Sequence, residues 1–312
     1  MTGEVEPLVI ILGPTGVGKT RLAMDLAGRL DGEIVGADSR QIYRHMDIGT
    51  AKPTAEQRTL IPHHLIDIAL PDYNLSLAEY QDAAYSAIDG LHKRGKLPFL
   101  VGGSGQYITA VEEGWGIPRV PPNLDLRAEL EEYAAQTSPQ ALHDRLRQVD
   151  ATSAERIHPN NTRRVIRALE VQMLTGSAIS ELQVKRPPAY RILRLGLMLP
   201  RAILYPRVDA RVDEMIRTGF VDEVKGLLNM GYDRSLPSMT GLGYLEIAGH
   251  ILDGAPLDEA VERSKFSTHE FIRRQDVWFR GHDNGILWHN VNDLNVDALA
   301  DELQEWLAKP TD

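Results

Sequence analysis

The segment Gly13-Pro14-Thr15-Gly16-Val17-Gly18-Lys19-Thr20 constrains this chain more than any other. It matches G-x-x-x-x-G-K-[ST] in full, between an apolar run, Leu8–Leu12, and a stretch with helical periodicity through Leu22, Leu26 and Leu30. Glycines let backbone N–H groups turn inward around phosphate oxygens, and the start of the following helix adds a favourable dipole. Lys19 supplies a point charge, and the Thr20 hydroxyl is a ligand for Mg²⁺. Gly32 stops the helix, Glu33–Ala37 reads as a second strand ending at Asp38, Ser76–Lys93 as a helix, and Pro98–Val101 as a buried strand entering Gly102-Gly103. Alternating strand and helix predict a parallel sheet covered by helices on both faces. Ligands in such sheets sit beyond the C-terminal ends of the strands. Gly13–Thr20, Asp38 and Gly102–Ser104 all fall on that edge.

The fold class is therefore α/β, P-loop NTPase-like, with an interruption. Pro118, Pro121 and Pro122 break the pattern, helices follow near Asp125–Ala135, Pro139–Gln148 and Asn161–Leu174, and Pro187-Pro188 closes the stretch. Residues 116–194 are expected to form a helical insertion, with 1–115 and 195–312 as the catalytic core. Ile192–Leu199 reads as a strand returning to the core, followed by helices near Pro206–Thr218 and Val221–Leu228 and a last long one from Leu257 to Phe279.

The chain has 312 residues, 43% of them hydrophobic, enough for a full core. It has no cysteine, which excludes disulfides, Cys-ligated zinc and thiol catalysis and fits a reducing compartment. Leu8–Leu12 is too short for a signal peptide or membrane span, so a cytoplasmic protein without a membrane partner is expected. The net charge of −10 argues against a polyanionic partner until its distribution is considered. Residues 283–312 hold seven acids against one base, whereas Arg156–Leu169 holds four arginines and no acid. Binding to a polyanion depends on that local field.

A kinase or ATPase usually carries an acid after a buried strand to help hold magnesium. Here Pro98–Val101 runs into Gly102-Gly103-Ser104-Gly105, and the strand that does end in an acid gives Asp38. From its position alone Asp38 is a magnesium helper, a base or a helix N-cap. Arg207 and Arg211 share a helix face and either pair with Asp209, Asp213 or Glu214 or face an anion. Arg163 and Arg167, with Arg164 beside them, are a solvated face or a polyanion contact. Arg273–Arg280 mixes bases with Trp278 and Phe279, as nucleic-acid surfaces and helix cores both do. His63-His64 has no metal partner at a useful spacing and reads as structural.

Taken in order, Gly13–Thr20, Ala37-Asp38-Ser39-Arg40-Gln41-Ile42-Tyr43, Met46–Pro53, Pro62–Asp67, Val101–Tyr107, His158-Pro159-Asn160 with Arg164, Arg167–Glu170, Arg207–Met215, and Arg274-Gln275 with Trp278 resemble the bacterial tRNA dimethylallyltransferases. The resemblance runs from about Leu8 to Arg280. It implies transfer of a dimethylallyl group from its diphosphate to N6 of the adenosine 3′ of the anticodon, with Mg²⁺ as cofactor and the tRNA anticodon stem-loop as partner. It implies that Gly13, Pro14, Thr15, Gly16, Val17, Gly18, Lys19 and Thr20 hold the diphosphate, that Arg211 approaches it, that Asp38 is the base and that Ser104 lies beside the same amine. The family more often has threonine at 104, and serine keeps the hydroxyl. Contacts to tRNA are implied for Asp38, Ser39, Arg40, Gln41, Ser104, Arg163, Arg164, Arg167, Thr240, Gly243, Tyr244, Arg273, Arg274, Gln275, Trp278 and Arg280, and by extension Arg127. A monomer is expected. Other readings of the loop are a small-molecule kinase, a prenyltransferase acting on free adenine nucleotides, and a tRNA-binding module whose loop senses nucleotide.

Overall fold

The computed structural model describes residues 5–283 and 285–309. Among them six strands form one sheet: β1 (Glu6–Leu12), β2 (Gly32–Ala37), β3 (His63–His64), β4 (Leu97–Gly102), β5 (Tyr190–Met198) and β6 (Leu287–Asn290). Every pair is parallel, in the order β3-β2-β4-β1-β5-β6. The uninterrupted apolar run of β1 follows from burial on both faces. Val9 and Ile11 point into one core with Leu22, Leu26, Phe99, Leu195 and Ile272, and Leu8, Ile10 and Leu12 into the other with Tyr80, Ile88, Leu100 and Phe279.

The helices are α1 (Lys19–Arg29), α2 (Ala55–Leu60), α3 (Leu77–Lys93), α4 (Gly105–Glu113), α5 (Leu124–Gln136), α6 (Pro139–Val149), α7 (Ala151–Arg156), α8 (Thr162–Thr175), α9 (Ile179–Leu182), α10 (Arg201–Arg217), α11 (Phe220–Asn229), α12 (Tyr244–Asp253), α13 (Leu257–Gly281) and α14 (Val296–Ala308). A capping box between Ser76 and Glu79 starts α3. Pro206 marks no beginning: α10 starts at Arg201 and carries the proline inside. The elements β6, α12 and α14 were not expected from sequence.

Register explains why the strand ends matter. Leu12 and Ala37 are both lateral partners of Gly102, so β1, β4 and β2 finish level. With roughly 4.8 Å between neighbouring strands, the chain leaves β1 and β2 roughly 10 Å apart, with the end of β4 between them.

The chain divides into two compact units, one made of the residues up to Glu112 and from Ala189 onward, the other Glu113–Pro188. The second has its own core, in which Leu130, Leu142, Leu146, Val165, Ile166 and Leu169 come from α5, α6 and α8. Beside that core lies Glu170, fully buried. Its carboxylate accepts two hydrogen bonds from Arg127, both at 2.8 Å, one from Arg167 at 2.6 Å and one from the Asn123 amide at 2.8 Å. Arg167 also donates to the carbonyls of Pro118 and Val120. Burial works against the charge of Glu170, but these donors outweigh it and hold the carboxyl at about 2. A carboxyl depressed on folding contributes stability above its ordinary value of 4.5 and loses it as the pH falls towards about 2. Glu170→Ala, which strands two arginines, should cost about 3–5 kcal/mol in denaturant unfolding and raise hydrogen exchange first in residues 113–188; unchanged stability would remove this cluster from the account of the unit.

Candidate active site

Beyond the level ends of β1, β4 and β2 opens a cleft of about 770 Å³. From the glycine loop Thr15, Gly16, Gly18, Lys19 and Thr20 line it, and its polar lining also takes in Arg21, Asp25, Asp38, Gln41, Arg207 and Arg211. Gly18 caps α1 without a side-chain partner for the first-turn amides, so those donors are left for an anion. Gly13 must be glycine: its φ is +142°, and a Cβ there would lie 2.4 Å from the Leu197 carbonyl oxygen. Gly13, Pro14 and Val17 are buried beneath the loop and act through the backbone that they shape.

Lys19 donates to the Pro14 carbonyl at 2.8 Å, which folds its ammonium back over the loop. Burial pushes it down to about 8, Asp38 working against that shift and Arg211 with it. Burial likewise lowers Arg211, with Asp38 raising it and Arg207 lowering it further. Four cations, Lys19, Arg21, Arg207 and Arg211, and two carboxylates, Asp25 and Asp38, thus share the cleft. The acids near the two arginines are engaged elsewhere, Asp209 with His269, Asp213 with Lys265 and Glu214 with Arg217. Among the described residues neither Arg207 nor Arg211 has an ion-pair partner within 4 Å, so of the two readings open for them the pairing one fails.

Asp38 is no helix cap. Its Oδ1 accepts from the amides of Arg40 at 2.8 Å and Gln41 at 3.4 Å, closing a turn after β2, and among the described residues Oδ2 has no hydrogen-bond partner. Ser104 is held beside it: its Oγ accepts from the Ser39 amide at 2.9 Å, and its own amide donates to the Ala37 carbonyl. Gln41 donates to the carbonyls of Thr50 and Ala51.

Several of the expected contact residues also have partners within the protein. Gln275 is 5% exposed; its Nε2 donates to the Gly103 carbonyl at 2.8 Å and its Oε1 accepts from the Thr15 amide at 2.9 Å. Its side chain thus ties the glycine loop to the turn after β4, and the Thr15 amide is engaged within the protein. Tyr244 is 1% exposed and Gly243 is buried, because the expected contact loop continues into α12, whose first turn packs on Phe220. Trp278 is half-buried, its ring filling the space beside Gly105 and stacked on His282. Arg127 and Arg167 serve Glu170. Arg40 binds the Pro237 and Ser238 carbonyls and the Thr240 hydroxyl. Arg273 lies 3.7 Å from Glu270 and Arg274 lies over the Phe271 ring. Arg163, Arg164 and Arg280 are exposed and have no ion-pair partner among the described residues. His63 and His64 bond to the Ile61 carbonyl and Glu33, as a structural pair should.

A parallel sheet with a glycine-rich loop leading from its central strand into a helix puts the chain among the P-loop proteins. The IPP transferase family model matches residues 41–282. A tRNA dimethylallyltransferase of Roseiflexus castenholzii is 56% identical over 88% of this chain and 90% of its own. One from Chloroflexus aggregans is 54% identical over 91% and 96%. The crystal structure of the tRNA isopentenylpyrophosphate transferase of Bacillus halodurans superposes with a TM-score of 0.71 at 42% identity, covering 97% of this chain and 96% of that one. A eukaryotic dimethylallyltransferase acting on tRNA gives 0.78 at 26% identity, over 97% and 76%. The chain belongs to the tRNA dimethylallyltransferase family.

Because Lys19 carries its charge only below about 8, calorimetric affinity for inorganic pyrophosphate should fall as the pH rises through that value. Lys19→Met should bind more weakly and remove that inflection; an inflection unchanged in the variant would assign it to another group.

Proposed function

We propose that this chain transfers a dimethylallyl group from dimethylallyl diphosphate to N6 of the adenosine 3′-adjacent to the anticodon in tRNA, releasing diphosphate. The observation that carries this reading is that, in a member of this family, Lys19, Thr20 and Arg211 line the same cleft as Asp38. The N6 lone pair forms a bond to C1 of the allyl group while the C1–O bond breaks and its electrons pass to the diphosphate. N6 is a poor nucleophile because its lone pair is delocalised into the ring, so removal of its proton as the bond forms lowers the barrier. Oδ2 of Asp38 takes that proton. Lys19, Arg211 and the first-turn amides of α1 meet the charge that grows on the leaving group and stabilise it more in the transition state than before.

Thr20, a hard oxygen donor on the cleft wall, would hold Mg²⁺ there. When bound it neutralises charge on the leaving group. Ser104, whose Oγ accepts from the Ser39 amide, would stand beside the target amine. Extruding the adenine from its loop costs a few kcal/mol. The exposed Arg163 and Arg164 of the second unit, with Arg274 and Arg280, supply phosphate contacts to the anticodon stem-loop. The cytoplasm suits this reading: no helix among the described residues is long and apolar enough to cross a membrane.

Labelled dimethylallyl diphosphate with Mg²⁺ and total tRNA should yield N6-prenylated adenosine after nucleoside digestion. Label only on free nucleotides, or ATP turnover indifferent to tRNA, would overturn the reading. Asp38→Ala should abolish transfer, with tRNA affinity kept within about threefold, since the loss lies in proton removal; near-normal turnover would exclude Asp38 as the base. Arg164→Ala should weaken tRNA binding and reduce its log–log salt slope by about 1. An unchanged slope would take Arg164 off the contact surface.

A further inference from the structure

Next to the main cleft lies a second, smaller cavity of about 60 Å³. The two share Thr15, Thr50, Ala51 and Arg211, so the small one opens where the phosphate loop and the arginine meet. Its walls differ in chemistry. Val208, Val212, Met215, Phe220 and Leu242 make it largely apolar. Two of its threonine hydroxyls are turned to backbone: Thr268 donates to the Ser264 carbonyl and Thr50 to the Met46 carbonyl. A polar or charged ligand would find little to bind there, whereas a short hydrocarbon would be desolvated on several sides.

The end away from the phosphate loop is braced. The Phe220 ring meets Tyr244 edge-on, centroids 4.9 Å apart at 82°. The Tyr244 hydroxyl donates to Glu223 Oε1 at 2.6 Å, and the same carboxylate accepts from the amides of Asp47 at 2.8 Å, Ile48 at 2.7 Å and Gly49 at 3.1 Å. Gly49 lies so close that a Cβ there would come within 2.2 Å of the Phe220 ring. The ring therefore has Gly49 on one side and Tyr244 on another, and both are tied to the Glu223 carboxylate.

We propose that this cavity gauges the length of the prenyl chain: it takes the branched end of a five-carbon allylic diphosphate, and Phe220 with Met215 stops a ten-carbon one. The inference rests on the proposed function for its substrate class, but it concerns binding and can be read without transfer. Size supports the limit. An apolar cavity of roughly 150 Å³ holds one benzene ring. This one is smaller, so the terminal methyl groups fit while the rest of a five-carbon chain stays at the mouth, and a second isoprene unit has no room. Crowding against a rigid apolar wall discriminates by about 10–200-fold per surplus methylene.

The test uses the full chain and three probes that do not turn over: dimethylallyl S-thiolodiphosphate, geranyl S-thiolodiphosphate and inorganic pyrophosphate, titrated in the presence of Mg²⁺. The wild type should bind the dimethylallyl probe more tightly than pyrophosphate and reject the geranyl probe by at least about 100-fold. Met215→Ala should reduce that ratio at least about tenfold by admitting the longer chain. Val212→Phe, which fills the cavity, should bring the dimethylallyl probe down to the affinity of pyrophosphate. Phe220→Leu is a second widening variant, milder than alanine because Phe220 is only 2% exposed and anchors α11. Ratios unchanged in Met215→Ala and Val212→Phe, with circular dichroism and thermal midpoint showing folded protein, would overturn the gauge and leave the proposed function intact. A wild type that binds dimethylallyl and geranyl probes equally would overturn it as well. Failure of transfer to tRNA, with the probe ratios as expected, would instead strike the proposed function alone.

Discussion

The two halves of the cleft are joined by one buried amide. Gln275, on the long helix α13, donates to the carbonyl of Gly103 after β4 and accepts from the amide of Thr15 in the glycine loop. The bond to Gly103 is buried and the one to Thr15 partly so, and leaving a buried partner unsatisfied costs about 1–3 kcal/mol. A carboxamide is the side chain that can do both tasks at once, since it carries a donor and an acceptor on one planar group. The loop that grips an anion and the turn that carries Ser104 are thereby held at a fixed separation, and Ser104 in turn holds the Ser39 amide next to Asp38. A cradle for one reactant and a base for the other become a single site through this chain of contacts.

Electrostatics divides the labour differently from the total charge. The chain carries −10 overall, yet Lys19, Arg207 and Arg211 face the same cleft, with Asp38 as the one carboxylate near enough to shift Lys19 and Arg211. Neighbouring acids that would have neutralised the arginines have other partners, His269, Lys265 and Arg217. The field in the cleft therefore stays positive, as a site for an anionic leaving group requires. In the second unit the balance is the opposite. Glu170 consumes two of the arginines there and spends them on holding α5 and α8 together, which leaves Arg163 and Arg164 on the surface.

How much of this was legible in the sequence follows from the range of the forces involved. The glycine loop, the strands β1, β2 and β4 and the position of Asp38 beyond β2 are set by local pattern, and they were readable. The parallel sheet followed from their alternation. What escaped depends on contacts distant in sequence. Gln275 sits in a basic, aromatic segment that resembles a nucleic-acid surface, and only its 260-residue reach to Thr15 shows it to be internal. Tyr244 and Gly243 were expected at a tRNA contact through the resemblance alone, and their packing against Phe220 is not visible in the local pattern. The face Val208, Val212, Met215 has the spacing of an ordinary helix core, and nothing local distinguishes a core that closes from one that leaves a cavity. Glu170 was visible as the only acid within a turn of Arg163–Arg167, which was the available hint that some of those arginines are structural.

The central claim is geometric: a diphosphate on the glycine loop faces an adenine amine that reaches the free oxygen of Asp38. A crystal structure with dimethylallyl S-thiolodiphosphate and an anticodon stem-loop tests it most directly. The account predicts the diphosphate against Lys19 and the start of α1, and N6 within about 2.6–3.2 Å of Asp38 Oδ2. A carboxylate turned away from the amine, or an adenine still stacked in the RNA loop beside a filled phosphate cradle, would contradict it.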